Sequence, residues 1–297
     1  MSTTGTSTSN SSTLLAPTQF LEANGETYAY RRFGQGPGHP LLFLQHFTGT
    51  LDNWDYAVTD PLAMGREVIL FDNAGIGRSS GKVPQTIAGM AEHALAFVDG
   101  LGLKNFDVLG FSLGGMVALQ MVQDRPDIFR RMVLVGTAPR GGEDIMHLEK
   151  PKLSKHLQDP SLRGYEILSK LFFTETGTSQ KAGEAFVERL VERKEDLDPP
   201  AGPEVAGNQM AAFREWDQFT GERFADLYKV RQPTLVVNGV GDEMISVSNS
   251  YRLVEGLPNA VLLVYPDAGH GSLFQYHESF VRHATAFLDS ESETAAY

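Results

Sequence analysis

Ser112 lies in the run Gly110-Phe111-Ser112-Leu113-Gly114, between an apolar stretch and a helical pattern that begins near Met116. A serine at a sharp strand-to-helix turn has a strained backbone and a presented hydroxyl, and the flanking glycines let strand and helix approach closely. The pattern predicts that Ser112 is a nucleophile. The simpler alternative is a Gly-rich turn with a serine that caps the helix.

A nucleophilic serine needs a base that takes its proton and a group that orients the base. His270 follows the last apolar run and has a glycine on either side, Gly269 and Gly271. Because active groups in parallel α/β sheets collect on loops at the carboxyl ends of strands, we predict that His270 is the base. His46, at the end of an earlier predicted strand, is the rival candidate.

The orienting acid is expected on the loop after the preceding strand, where Asp242 follows Gly239-Val240-Gly241. An aspartate there can accept the imidazole N–H and stabilise the imidazolium. Glu243 is adjacent but would point differently, and Asp267 shares the loop of His270, which makes an inward reach awkward. The alternative for Asp242 is an ordinary turn aspartate.

Acyl transfer also needs donors for the developing oxyanion. We expect one from the backbone N–H of Leu113 and a second from Phe47, in the loop Gln45-His46-Phe47-Thr48-Gly49-Thr50. The Phe47 side chain would then line the pocket. The plainer interpretation of this loop is a turn toward Trp54.

The surrounding pattern predicts the elements that carry these residues. Short apolar runs at 41–44, 68–71, 108–109, 132–135, 234–237 and 261–265 read as buried strands, and helical patterns at 86–101, 248–257 and 276–288 lie among them. Residues 28–33 fit an antiparallel strand at the N-terminal edge. This alternation predicts an α/β fold with a doubly wound, mostly parallel sheet. We expect the core to comprise residues 19–139 and 229–290.

Residues 140–228 break the rhythm, because they contain helical patterns such as 181–194 but no clear strand. We predict a helical lid insertion. Its aromatic residues either hold the lid together or shape an apolar pocket. The candidate pocket residues, counting those of the core, are His46, Phe111, Met210, Phe213 and Trp216; Phe172, Phe173 and Phe219 are further aromatic residues of the lid.

Composition excludes several kinds of partner and chemistry. The net charge of −12 argues against nucleic acid and anionic membranes, which need clustered Lys and Arg. The chain has no cysteine, which excludes disulfides and thiolate catalysis. No run is long enough for a transmembrane helix, and no signal peptide is recognised, so we expect a cytoplasmic protein with a disordered tail at residues 1–18. The sequence does not give the oligomeric state.

With these residues identified, the chain resembles the α/β-hydrolase superfamily over residues 20–288. The order Ser112, Asp242, His270 is that of the family. The run from Phe71 to Ser80 resembles its Asp-x-x-Gly-x-Gly-x-Ser turn, and His46-Phe47-Thr48-Gly49 resembles its His-Gly loop without the usual glycine after the histidine.

The resemblance implies a cofactor-free and metal-free serine hydrolase that cleaves a carboxylic ester or lactone of a small to medium apolar molecule. Ser112 argues against haloalkane dehalogenases and epoxide hydrolases, which carry aspartate there. The Gly-Phe-Ser-x-Gly-Gly elbow is similar to that of cofactor-free haloperoxidases and perhydrolases, which is one alternative. Hydrolysis of a carbon–carbon bond is a second alternative, although such enzymes often have asparagine at the position of Phe111. A ligand receptor that retains the fold is a third.

Overall fold

The structure, a computed structural model, describes residues 12–295. These residues form an eight-stranded sheet in the order β1-β2-β4-β3-β5-β6-β7-β8. The strands are β1 (Gln19–Ala23), β2 (Glu26–Phe33), β3 (Leu41–Leu44), β4 (Val68–Phe71), β5 (Phe106–Phe111), β6 (Phe129–Val135), β7 (Thr234–Gly239) and β8 (Ala260–Tyr265).

The six strands from β3 to β8 are parallel, whereas β1 and β2 are antiparallel to their neighbours. The predicted mostly parallel sheet is therefore confirmed, as is the antiparallel strand at its N-terminal end. The central strands β3, β4 and β5 are buried along their whole length because helices cover both faces. The sequence interpretation missed β1, an edge strand in which half-buried and exposed residues alternate.

Ten helices accompany the sheet within residues 12–295. They are α1 (Tyr56–Ala63), α2 (Ile87–Leu101), α3 (Leu113–Asp124), α4 (Pro151–Leu157), α5 (Glu166–Phe172), α6 (Gly177–Leu190), α7 (Pro203–Trp216), α8 (Ser248–Gly256), α9 (Ser272–Gln275) and α10 (His277–Asp289). In this part of the chain, no helix has the length and apolar character needed to cross a bilayer.

Local sequence explains the limits of α2, which is one of the helices predicted from periodicity. The Thr86 side chain accepts a hydrogen bond from the Gly89 amide and caps the N-terminus. Gly102 ends the helix in the left-handed conformation, with φ of 69°. Between them Ile87, Met90, Ala94 and Val98 are among the buried residues that face the sheet, as the 3.6-residue period requires.

Helices α4 to α7 all lie between β6 and β7, within residues 140–228, which we call the insertion. An isolated β-bridge between Ile145 and Ile245 connects the insertion to the segment that follows β7. The helix expected at 181–194 runs from Gly177 to Leu190, since Thr176 caps its N-terminus by accepting from the Ser179 amide.

The N-terminal segment corrects one boundary. Residues 1–11 of the predicted tail lie outside the described residues, but residues 12–18 pack against the fold. Thr13 is buried, and its hydroxyl donates to Asp60 at 2.6 Å. Arg193 of the insertion donates to the carbonyls of Thr13 and Leu14 at 2.8 and 2.9 Å. These contacts connect the N-terminal segment to both the core and the insertion.

Candidate active site

Ser112 occupies the sharp turn between β5 and α3. Its φ of 58° and ψ of −120° lie in a region that non-glycine residues rarely adopt. The backbone around it is held firmly: the Ser112 amide donates to the Val135 carbonyl at 2.8 Å, and the Ser112 carbonyl accepts from the Thr137 hydroxyl at 2.8 Å. Neighbouring strand β6 therefore fixes the strained turn.

Three glycines make this turn possible because side chains at their positions would overlap other atoms. A Cβ at Gly110 would lie 2.6 Å from the Cα of Gly115, and one at Gly115 would lie 2.6 Å from the side chain of Thr137. A Cβ at Gly114 would overlap the Leu44 carbonyl at the end of β3. The glycine pattern of the elbow thus reflects close approach of backbone to backbone on two sides.

His270 and Asp242 form a buried pair. Nδ1 of His270 lies 2.8 Å from Oδ2 of Asp242, and both side chains are fully buried. The other oxygen of Asp242 accepts from the amides of Met244 and Ile245 at 2.9 and 3.0 Å. Because these amides hold the carboxylate, Asp242 can orient the imidazole with its proton on Nδ1 and its lone pair on Nε2.

The two atoms that would exchange a proton, on His270 and Ser112, are both buried. Among the described residues, neither Nε2 of His270 nor Oγ of Ser112 has a hydrogen-bond partner. A buried polar atom without a partner is uncommon and calls for an explanation, and a reacting group that awaits its ligand is one such explanation. The arrangement can supply a nucleophile, a base and an acid that orients the base.

The loops that carry Asp242 and His270 are joined through their backbones. The amide of Gly241 donates to the Ala268 carbonyl at 2.8 Å, and that of Val240 donates to the Tyr265 carbonyl at 3.0 Å. A Cβ at Gly239 would overlap the Ala268 carbonyl. These contacts hold the two loops at one edge of the sheet.

The carboxylate of Asp267, one of the two rival acids, is engaged elsewhere. Asp267 accepts from the hydroxyls of Thr174 and Thr176 in the insertion, each at 2.8 Å.

The rival base, His46, is suited to a different task. Its Nδ1 lies 2.8 Å from the Phe47 carbonyl, which requires the proton on Nδ1. Burial lowers the pKa of His46 to about 3, an effect that the nearby His270 reinforces and the Phe47 hydrogen bond opposes. A neutral His46 therefore holds the loop at residues 45–50, which we call the β3 loop.

The β3 loop lies directly beside the elbow, since only a glycine fits at position 114 next to Leu44 and Gln45. Leu113 is the first residue of α3, where backbone N–H groups have no partner within the helix. Phe47 follows His46 in the β3 loop. The structure thus brings the chain segments of both expected oxyanion donors together.

Aromatic rings enclose the pair. Phe111 lies under the site, with ring centroids 5.0 Å from His270 and 5.5 Å from His46. Phe172, at the end of α5, packs 5.5 Å from His270 and 5.2 Å from His46. Ser112 and His270 have no exposed surface, so the site is closed to solvent.

The other pocket candidates lie on α7 at different depths. Phe213 packs against Phe47 with ring centroids 6.0 Å apart, which brings it to the β3 loop. Met210 is partly buried against the core. Trp216 lies at the base of the insertion, where its indole N–H donates to the Ala138 carbonyl at 3.1 Å and Arg140 stacks on its ring.

Gln209 and Thr137 are residues of the site that the sequence did not single out, and Phe172 was named only among the further aromatic residues of the lid. Gln209 is buried on α7 and accepts from the Thr48 amide at 2.6 Å. Phe172 accounts for one of the glycines beside His270, since a Cβ at Gly271 would lie 2.8 Å from the Cβ of Phe172.

A small cavity of about 30 Å³ lies beside the elbow. Its lining includes His46, Leu113, Gly114 and Gln209 but neither Ser112 nor His270. The cavity is large enough for about one or two waters, so it is a void next to the β3 loop and not a substrate pocket. No three His, Asp or Glu side chains within residues 12–295 are grouped to hold a metal ion.

Comparison with known proteins identifies the family. A family model described as alpha/beta hydrolase fold matches residues 39–275. The chain belongs to the α/β-hydrolase fold family. An α/β-hydrolase fold protein from Chitinophaga pinensis has a similar structure, with a TM-score of 0.86, 42% identity, and coverage of 94% of this chain and 99% of that one.

Two curated relatives extend the comparison. RutD of Caulobacter sp. (strain K31), named as a carbamate hydrolase, is 30% identical over 76% of this chain and 81% of its own length. The 2-hydroxymuconate semialdehyde hydrolase of Pseudomonas putida is 29% identical over 92% of this chain and 96% of its own. The resemblance to α/β hydrolases inferred from the motifs is confirmed. The names of these relatives indicate that they cleave different kinds of bond.

Proposed function

We propose that this α/β hydrolase cleaves a carboxylic ester or lactone through an acyl-enzyme intermediate on Ser112. The observation that carries the proposal is the 2.8 Å hydrogen bond between buried His270 and Asp242, in a fold that also places a serine at the strained elbow. A base oriented in this way is what a serine hydroxyl requires for attack on an acyl carbon.

The proposed reaction has two halves. As Oγ of Ser112 attacks the acyl carbon, Nε2 of His270 takes its proton, and the Asp242 carboxylate stabilises the imidazolium. The backbone N–H groups of Phe47 and Leu113 hold the oxyanion. His270 then protonates the leaving alkoxide. In the second half it deprotonates the water that attacks the acyl carbon, and it returns that proton to Oγ of Ser112 as the bond to the acyl group breaks and the acid is released. No cofactor or metal takes part.

The surroundings favour an apolar substrate of small to medium size. Aromatic surface lies beside His270, from Phe111 and Phe172, and along the β3 loop, where Phe213 packs against Phe47. Such surface binds hydrocarbon portions of a ligand, while a few polar groups fix its orientation. Phe111 before the serine also favours ester hydrolysis over cleavage of a carbon–carbon bond.

Active-site labelling combined with a substrate panel tests the proposal. One portion of the purified protein is treated with a fluorophosphonate, and a separate, untreated portion is assayed with p-nitrophenyl esters of increasing acyl length and with γ- and δ-lactones. We expect one covalent adduct, located on Ser112 by peptide mass spectrometry, together with hydrolysis of at least one ester or lactone. Ser112→Ala removes both the adduct and the hydrolysis.

Ser250→Ala is the matched control. Ser250 is a fully buried serine in α8, and its Oγ also has no partner among the described residues. This variant should keep the adduct and the activity. Ester hydrolysis that survives in Ser112→Ala contradicts the proposal. Halogenation that depends on peroxide and exceeds ester hydrolysis favours the perhydrolase alternative, and tight ligand binding without any adduct favours a receptor.

A further inference from the structure

Gln209 connects the insertion to the β3 loop. It lies on α7, is only 4% exposed, and its Oε1 accepts the backbone N–H of Thr48 at 2.6 Å. The two residues are 161 positions apart in the sequence. Through this hydrogen bond, a helix of the insertion holds the residue next to Phe47, the proposed oxyanion donor.

The β3 loop has a conformation that its sequence does not favour. Thr48 has φ of 58°, in the left-handed region that β-branched residues rarely adopt. Its neighbours make hydrogen bonds within the loop: the His46 amide donates to the Gln45 side chain at 2.9 Å, and the Gly49 amide donates to the His46 carbonyl at 3.0 Å. Gln209 adds a contact from outside.

Two adjacent peptide units are consequently fixed. The unit between Phe47 and Thr48 is held on both sides, because its carbonyl accepts from His46 Nδ1 and its N–H donates to Gln209. In the unit between His46 and Phe47, the carbonyl accepts from Gly49. Since N–H and C=O point in opposite directions in a trans peptide, the Phe47 N–H points away from Gly49. The Phe47 N–H is therefore not used in the hydrogen bond that closes the loop, as an oxyanion donor requires.

We infer that Gln209 is a positioning residue for the oxyanion site: by holding the Thr48 amide it fixes the direction of the Phe47 N–H. The inference rests on the proposed acyl-transfer function. It makes the insertion part of the catalytic apparatus and not only a cover. Removal of this acceptor should therefore weaken binding of the transition state more than binding of the substrate.

The test compares two carboxamides on the same helix. Gln209→Leu removes the acceptor from the β3 loop, whereas Asn208→Leu removes a carboxamide that accepts from Gln85, away from that loop, at 2.8 Å. For Gln209→Leu we expect kcat for the best ester to fall about 10- to 100-fold with KM nearly unchanged, less than the loss of a whole oxyanion donor. For Asn208→Leu we expect kcat within about twofold of the wild type.

A transition-state mimic separates positioning from packing. An aryl trifluoromethyl ketone adds to the serine and places an anionic oxygen in the oxyanion site. Its inhibition constant should rise in Gln209→Leu by the same factor as kcat falls. A KM increase at constant kcat, or an unchanged inhibition constant, overturns the inference. If Gln209→Leu does not fold, Gln209→Asn, which draws the acceptor back by one methylene, carries the same test.

Failure of this inference differs from failure of the proposed function. Wild-type protein without a Ser112 adduct or ester hydrolysis contradicts the proposed function itself. Wild-type protein that is active, with Gln209→Leu equally active and equally inhibited, contradicts only the role of Gln209.

Discussion

The core and the insertion are held in place by different kinds of contact. In the core, the loops of the site meet through backbone hydrogen bonds and glycines with no room for a Cβ, as at Gly114 and Gly239. The insertion also makes backbone hydrogen bonds to the core, such as that from the Gly271 amide to the Phe172 carbonyl at 2.8 Å, and it relies in addition on side chains. Among these are Arg189, which binds buried Asp55 through two nitrogens, and Gln209, which binds the β3 loop.

The two kinds of contact indicate different roles for the core and the insertion. Backbone contacts leave few alternatives, so the positions of Ser112, Asp242 and His270 are fixed by the sheet. Side-chain contacts can be exchanged one at a time without disturbing the strands. Substitutions in the core should therefore affect chemistry and folding strongly, and substitutions in the insertion should act through attachment and substrate access.

The largest effect is expected from Asp242→Asn. The amides of Met244 and Ile245 keep an oxygen on their side, so the new NH₂ group faces His270 and forces its proton onto Nε2. The imidazole then cannot take the serine proton, and kcat should fall about 10⁴-fold with the fold intact. Steady-state kinetics and circular dichroism check this.

Asp267→Asn is the matched control for that variant, because Asp267 bonds to threonines of the insertion and not to His270. Its kcat should stay within a few-fold of the wild type. Equal losses in the two variants would contradict the assignment of Asp242.

The second prediction concerns glycines in the two regions. Gly114→Ala drives a Cβ into the Leu44 carbonyl and should lower the free energy of unfolding by about 2 kcal/mol or more. Gly207→Ala on α7 meets no atom within 4 Å and should raise it by about 0.5–1 kcal/mol. Urea denaturation measures both, and losses of similar size would remove the distinction between core and insertion.

The third prediction tests the attachment of the insertion. Arg189→Met leaves the fully buried Asp55 carboxylate without its cation and should lower the free energy of unfolding by about 3 kcal/mol. Arg125→Met breaks the exposed pair with Asp99 and should lower it by less than about 1 kcal/mol. A small effect at Arg189 would mean that the insertion is held by other contacts.

The smallest effect is expected at a buried carboxylate where core and insertion meet. Burial, and then the charge of Asp198 from the insertion, raise the pKa of Asp72 well above its ordinary value, although Arg31 opposes them. The folded protein therefore binds this proton more tightly than the unfolded chain, and the stability gained is lost as pH rises through the raised pKa. Asp72→Asn, whose oxygen can still accept from the Leu51 amide, removes that loss.

Compared with the wild type, Asp72→Asn should become more stable by about 1 kcal/mol as pH rises above about 4. Thermal denaturation between pH 4 and 8 checks the sign. A stability difference that falls with pH would contradict the raised pKa.

Local sequence accounts for the core of the candidate site. The elbow around Ser112, the glycines beside His270 and the turn that carries Asp242 are each encoded within a few residues, because backbone geometry restricts which residues fit there. The same holds for the buried parallel strands, which appear as continuous apolar runs. Strand β1 was missed because an edge strand has no such run.

The part of the site contributed by the insertion could not be predicted in this way. Phe172 and Gln209 reach the site through contacts with residues far away in the sequence, and nothing in their own segments distinguishes them from Phe173 or Asn208. Trp216 was an equally reasonable pocket candidate, yet it lies against the Ala138 carbonyl. Which face of an inserted helix meets the core depends on packing as a whole.

Complete burial of Ser112 has a kinetic consequence. A reagent can reach the hydroxyl only in molecules that have transiently opened. At low reagent concentration, the observed rate of modification therefore equals the intrinsic rate multiplied by the fraction of open molecules. At high reagent concentration the rate should level off at the opening rate constant. Modification rates measured with phosphonates of increasing bulk would then show how wide the entrance becomes in the open molecules.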